Sequence, residues 1–115
     1  MEFENLDSWI ERLRSISASK GVVVLVEGKR DFDKLKKLGI ENVYPIKGKK
    51  FYDILEELED SSMVIVLTDL DKQGDKISSK ISGMLQREGI PVDNLFRQAL
   101  KKFEIKHIED IPVRS

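Results

Sequence analysis

The chain contains no cysteine, which excludes disulfides, thiolate metal sites and a cysteine nucleophile. No apolar run approaches the roughly 18 residues of a membrane-spanning helix, and the acidic N-terminus does not resemble a signal peptide. The chain therefore reads as soluble and cytoplasmic, with no membrane partner. Neither sign of charge dominates: 20 Lys and Arg face 21 Asp and Glu, for a net charge of −1. No global basic field points to nucleic acid. The sequence has no internal repeat, low-complexity tract or linker. It also lacks a G-x-x-x-x-G-K-[ST] loop, which excludes a P-loop nucleotidase. The one histidine, His107, comes late and has no motif around it, so it reads as structural.

What is present fits one domain of 115 residues with a single modest core. The charged fraction is 36%, above the usual roughly 25%, which suits a heavily charged surface. Leu6, Ile10, Leu13 and Ile16 recur at helical spacing, predicting a helix over 4–19. Apolar runs predict strands over 22–26, 42–46 and 63–68. Between them, Phe32, Leu35 and Leu38 mark a short helix with Asp31 as candidate N-cap, and Phe51, Ile54, Leu55 and Leu58 mark another to about 59. A further helix is expected over 73–88, closed by Gly89 and Pro91. Leu95, Phe96, Leu100 and Phe103 give a last helix, with an edge strand over 105–108. Strands alternating with helices imply an α/β fold, a mostly parallel sheet of about four strands covered on both faces.

Two apolar runs end in acid. Val22-Val23-Val24-Leu25-Val26 is followed by Glu27-Gly28-Lys29, and Met63-Val64-Ile65-Val66-Leu67 by Thr68-Asp69-Leu70-Asp71. A carboxylate at the end of a buried strand is costly to desolvate unless it is paired or holds a cation. Asp69 and Asp71 are two residues apart, so on extended backbone they face the same way. With Glu27 they form a candidate three-carboxylate cluster, whose repulsion a hard cation such as Mg²⁺ relieves. The competing reading of the pair is turn formation and helix capping. Ligands of parallel sheets bind beyond the carboxyl ends of the strands. Glu27, Gly48 and the Asp69/Asp71 pair all follow strand ends and should share that edge.

Other residues flank these carboxylates. Lys29, Arg30 and Lys72, with Lys47 and Lys49 of the loop Lys47-Gly48-Lys49-Lys50, are candidate phosphate contacts or solvated surface charge. Gly28 and Gly74 suit a close backbone approach or a tight turn. Asp31, Asp33 and Asp75 read as caps or exposed charges. Dehalogenase-type phosphatases also use D-x-D, but after the first strand, whereas here the pair follows the third. Receiver domains place their acidic pair after the first strand and a lone Asp after the third, the reverse of this order.

The order Glu27-Gly28 after one strand, Gly48 after the next, and Asp69-Leu70-Asp71-Lys72-Gln73-Gly74 after the third resembles the Toprim domain of topoisomerases, bacterial-type primases, repair proteins and small nucleases. The resemblance covers about residues 21–90 and implies a Rossmann-like fold in a single Toprim domain over 1–115. It is nearest to small stand-alone archaeal-type proteins and is similar to the Toprim ribonuclease that matures ribosomal RNA. It implies that Glu27 is a general acid/base, that Asp69 and Asp71 bind Mg²⁺ (Mn²⁺ as substitute), and that Gly28, Gly48 and Gly74 are the glycines around them. The implied function is Mg²⁺-dependent phosphodiester chemistry on RNA or DNA by a small nuclease. The alternatives are a non-catalytic nucleic-acid-binding or regulatory module and a primase-like nucleotidyl-transfer subunit. Tyr44 and Tyr52 belong to the Toprim core and not to a separate domain, so strand passage is not expected. The chain has no room for recognition domains, which suits a protein partner that supplies them. The first helix suits packing on the sheet or a homodimer contact.

Overall fold

The structure, a computed structural model, describes residues 2–113. The elements run α1 (Leu6–Ser17), β1 (Val22–Val26), α2 (Lys29–Lys37), β2 (Val43–Pro45), α3 (Phe51–Leu58), β3 (Met63–Val66), α4 (Lys72–Arg87), β4 (Val92–Asp93) and α5 (Leu95–Ala99), with a 3₁₀ turn at Ile108–Asp110. The four strands form one parallel sheet in the order β2-β1-β3-β4. This is the α/β architecture expected from the alternating pattern.

The apolar runs are continuous because both faces of the sheet are covered. Along β1, Val22, Val24 and Val26 enter one layer with Trp9, Leu13, Leu35, Phe96 and Leu100. Leu25 enters the other with Ile54, Leu58, Ile81 and Leu85. Along β3 and the residue beyond it, Ile65 and Leu67 join the first layer, Val64 and Val66 the second. Side chains alternate between faces of an extended strand, so each central strand feeds two cores.

Helix α1 buries its apolar face within the chain. Trp9 and Leu13 are fully buried, the Trp9 indole N–H donates to the Phe96 carbonyl at 2.9 Å, and the Trp9 and Phe96 rings meet edge to face at 6.0 Å. Asn5 caps α1, its side chain accepting from the Ser8 N–H.

Two local expectations are corrected. Asp31 is not the N-cap of α2. That position is Gly28, and Asp31 sits in the first turn, accepting from the Gly28 N–H at 3.2 Å. Residues 105–108 form no strand. The sheet edge is taken by β4, where Val92 and Asp93 pair with Val64 and Ile65. Glu104 adopts a left-handed φ of 58°, which turns the chain away from that edge. The following segment crosses the carboxyl end of β3, where the Leu70 N–H donates to the Lys106 carbonyl at 2.7 Å.

The strand order matters for the site. From β1 the chain goes outward to β2, then returns across β1 to β3 on its other side. The reversal opens a crevice beyond the carboxyl ends of β1 and β3, where doubly wound sheets bind ligands.

Candidate metal centre

Glu27 leaves the end of β1 and Asp69 lies three residues past β3, on opposite lips of this crevice. The Asp69 N–H donates to Glu27 Oε2 at 2.7 Å, tying the two loops together. Partial burial raises the Glu27 pKa. The Asp69 N–H bond opposes the rise, the Asp69 and Asp71 carboxylates reinforce it, and the Arg97 guanidinium lowers it.

Asp71 is the N-cap of α4. Its Oδ1 accepts from the Gly74 N–H at 2.7 Å, which leaves Oδ2 facing the Nε2 of His107 at 3.7 Å. Capping and cation binding, alternatives when read from sequence, need not compete here, since the cap uses Oδ1 alone. Gly74 has a direct steric reason: a Cβ there would stand 1.8 Å from the Asp69 carbonyl oxygen. The start of α4 thus packs on the Asp69 backbone, and the Thr68 hydroxyl donates to the Gly74 carbonyl at 2.7 Å.

Among the described residues, Asp69, Asp71 and His107 each offer one ligand atom, all within 4.8 Å of one another. Two carboxylates and an imidazole at this spacing fit a divalent cation. Glu27 stands beside this group, held by the Asp69 N–H. His107 carried no sequence signal. The fold brings it in through its neighbour: the Ile108 N–H donates to Asp69 Oδ1 at 2.9 Å, and the Ile108 side chain is fully buried.

Two further residues have a place at the site that the sequence reading did not give them. Arg97 is buried; it donates from Nε to the Thr68 carbonyl at 2.9 Å and from one terminal nitrogen to the Asp69 carbonyl and Asp75 Oδ1, both at 2.6 Å. It holds the backbone that carries the aspartates. Asp31 is buried, and its pKa is raised to about 6, first by burial and then by the Asp69 carboxylate. Neither had a motif, because each acts through the fold rather than through its neighbours in sequence.

A cleft of about 800 Å³ opens beside the centre, with Glu27, Asp31 and Asp69 on its floor and Lys29, Arg30, Lys47 and Lys49 around it. Lys49 is partly engaged, 3.2 Å from Glu57 and over the Tyr44 ring. Arg30 lies 3.8 Å from Glu109. Lys72 is the first residue of α4 and does not line the cleft. Gly28 is extended, and a Cβ there would meet only the Lys47 side chain, at 3.7 Å. Gly48 instead has a φ of +81°, the left-handed conformation that favours glycine.

A parallel α/β sheet with an acidic cluster at its switch point defines a class of domain that can hold a divalent cation there. Comparison with known proteins gives the family. The Toprim domain model matches residues 22–109, and the chain belongs to the Toprim family. It is similar to a UPF0292 protein of Methanocaldococcus jannaschii, 35% identical over 112 residues, which cover 95% of this chain and 86% of that protein. A UPF0292 protein of Methanosarcina barkeri is 31% identical over 110 residues, covering 94% and 76%. The solved structure of a putative protein from Aquifex aeolicus is 42% identical with a TM-score of 0.89, covering 95% of this chain and all of that one.

Proposed function

We propose that this protein is a small metal-dependent nuclease that cleaves phosphodiester bonds in RNA or DNA. The observation that carries the reading is one crevice containing two functions: the candidate ligand pair Asp69 and Asp71, and Glu27 beside it with a raised pKa. Asp69 and Asp71 would hold the cation, and carboxylates alone favour Mg²⁺, with Mn²⁺ as substitute. Such a cation, when bound, neutralises the phosphodiester and stabilises the charge that builds on it.

The chain's own residues supply the rest. As water attacks phosphorus it gives up a proton to solvent, and as the bond to the leaving sugar oxygen breaks a protonated Glu27 gives that oxygen a proton and is later reprotonated from solvent. Its raised pKa suits the acid role toward the leaving oxygen, which departs as a hydroxyl. Lys29 and Lys47 draw the phosphate backbone into the cleft. Arg97 keeps the Asp69 backbone in register with Glu27.

A second reading, a non-catalytic binding module, is favoured by the acidic partners of the cleft's cations: Lys49 faces Glu57 and Arg30 faces Glu109. This weakens the pull on a polyanion and suits a protein partner that supplies recognition.

A cleavage assay with Mg²⁺ and with Mn²⁺ separates the two readings. The substrates are single-stranded RNA, structured ribosomal-type RNA, single-stranded DNA and duplex DNA. Structured RNA is included to test the motif resemblance to a ribosomal-RNA-maturing ribonuclease. Wild type should cleave at least one substrate, whereas Asp71→Asn and Glu27→Gln should each lose at least about a hundredfold in rate. Salt-sensitive binding without turnover would select the binding module.

A further inference from the structure

We infer that His107 is the third protein ligand of the metal centre and turns its preference from Mg²⁺ toward a first-row transition-metal ion such as Mn²⁺. This rests on the metal-dependent reading above and specifies the metal. Three observations support it. First, the His107 ligand nitrogen and one oxygen each of Asp69 and Asp71 lie within 4.8 Å of one another, a spacing that small side-chain rotations close around one ion. Second, the other ring nitrogen, Nδ1, stands 3.4 Å from Asp110 Oδ2. A carboxylate behind the second nitrogen is the usual way a metal-binding imidazole is held in orientation and tautomer.

Third, the histidine's position is built into the fold. Residues on both sides of it are tied to the aspartate loop, through the Leu70 N–H to Lys106 carbonyl bond at 2.7 Å and the Ile108 N–H to Asp69 Oδ1 bond at 2.9 Å. The ring itself is half-buried between Asp71 and Asp110. Backbone that fixes the ring costs the unbound protein little when a metal arrives.

The donor chemistry then sets the metal. Mg²⁺ takes oxygen ligands and gives up water reluctantly, so an imidazole adds little for it. First-row transition ions accept an imidazole nitrogen beside carboxylate oxygen more readily than Mg²⁺ does, with Mn²⁺ the weakest of them and affinity rising along the series. The mixed set therefore separates this centre from one built of carboxylates alone.

The test is direct binding, without nucleic acid. Mn²⁺ is titrated into the metal-free protein and free Mn²⁺ is read by electron paramagnetic resonance. Mg²⁺ affinity comes from competition in the same cell. His107→Ala should weaken Mn²⁺ binding at least about tenfold and change Mg²⁺ binding far less. Asp110→Asn should weaken Mn²⁺ in the same direction. An unchanged ratio of Mn²⁺ to Mg²⁺ affinity in His107→Ala would overturn the inference, whether both affinities hold or both fall. Circular dichroism checks that the variant folds, and His107→Gln replaces it if it does not. A nuclease with no His107-dependent preference sinks this inference alone. A His107-dependent preference without cleavage sinks only the nuclease reading.

Discussion

Asp31 shows the energetic cost of the site in one side chain. It is buried beside other carboxyl groups, and its pKa rises from 3.8 to about 6. The folded state therefore holds this proton more tightly than the unfolded state does. Below about pH 4 the group is neutral in both states and costs nothing. Between about pH 4 and 6 the unfolded state is ionised while the folded state still holds the proton, so stability falls with rising pH, by roughly 3 kcal/mol once pH passes 6, since each tenfold change in proton affinity is worth about 1.4 kcal/mol. Asparagine keeps an acceptor for the Gly28 N–H and carries no charge. Asp31→Asn should thus be more stable than wild type in metal-free urea denaturation at about pH 8. The gap should close below about pH 4, and a gap independent of pH would contradict the account. Glu27, Asp69 and Asp71 were readable as candidate site residues because each follows a buried strand within one to five residues. Asp31 looked like an ordinary cap because its burial depends on what packs over it.

At the scale of elements, the start of α4 does two jobs through one residue. Asp71 caps the helix with Oδ1 and offers Oδ2 to the candidate centre. The two roles separate by substitution. Asparagine caps about as well as aspartate, so Asp71→Asn should leave the melting temperature of the metal-free protein nearly unchanged and weaken cation binding. Asp71→Ala should lose about 1 kcal/mol of stability as well. Thermal melts with and without cation distinguish the two, and equal destabilisation by both would show that the cap does not matter. Helix α5 and the segment after it were harder to read. Of the positions at helical spacing, Phe96 and Leu100 are fully buried, but Leu95 is exposed and the helix ends at Ala99, short of Phe103. A short stretch such as Ile105–Ile108, with only two apolar residues, cannot choose between an edge strand and a crossing. The left-handed turn at Glu104 and the hydrogen bonds of Leu70 and Ile108 decide it.

At the scale of the molecule, the sheet carries aliphatic cores on both faces, and neither core includes a residue of the candidate centre. Removing metal should therefore leave the fold intact. With EDTA the circular dichroism spectrum should keep its native shape and cooperative melt. Added cation should raise the melting temperature only as far as occupancy allows, growing with the logarithm of its concentration above Kd. An unfolded metal-free protein would mark the centre as structural. Among the described residues no helix is long and apolar enough to cross a membrane.

The sequence by itself determined the α/β class, the two central strands and the acidic strand ends, because hydrophobic period and strand-end position follow from backbone geometry over a few residues. Only the tertiary structure decided which distant groups meet those ends. Arg97 reaches Asp69 across 28 positions, and Ile108 reaches it across 39, bringing His107 to Asp71. No local pattern encodes such meetings. They depend on the reversal of strand order between β1 and β3 and on where the C-terminal segment crosses the sheet, and both are set by how the whole chain buries its apolar surface.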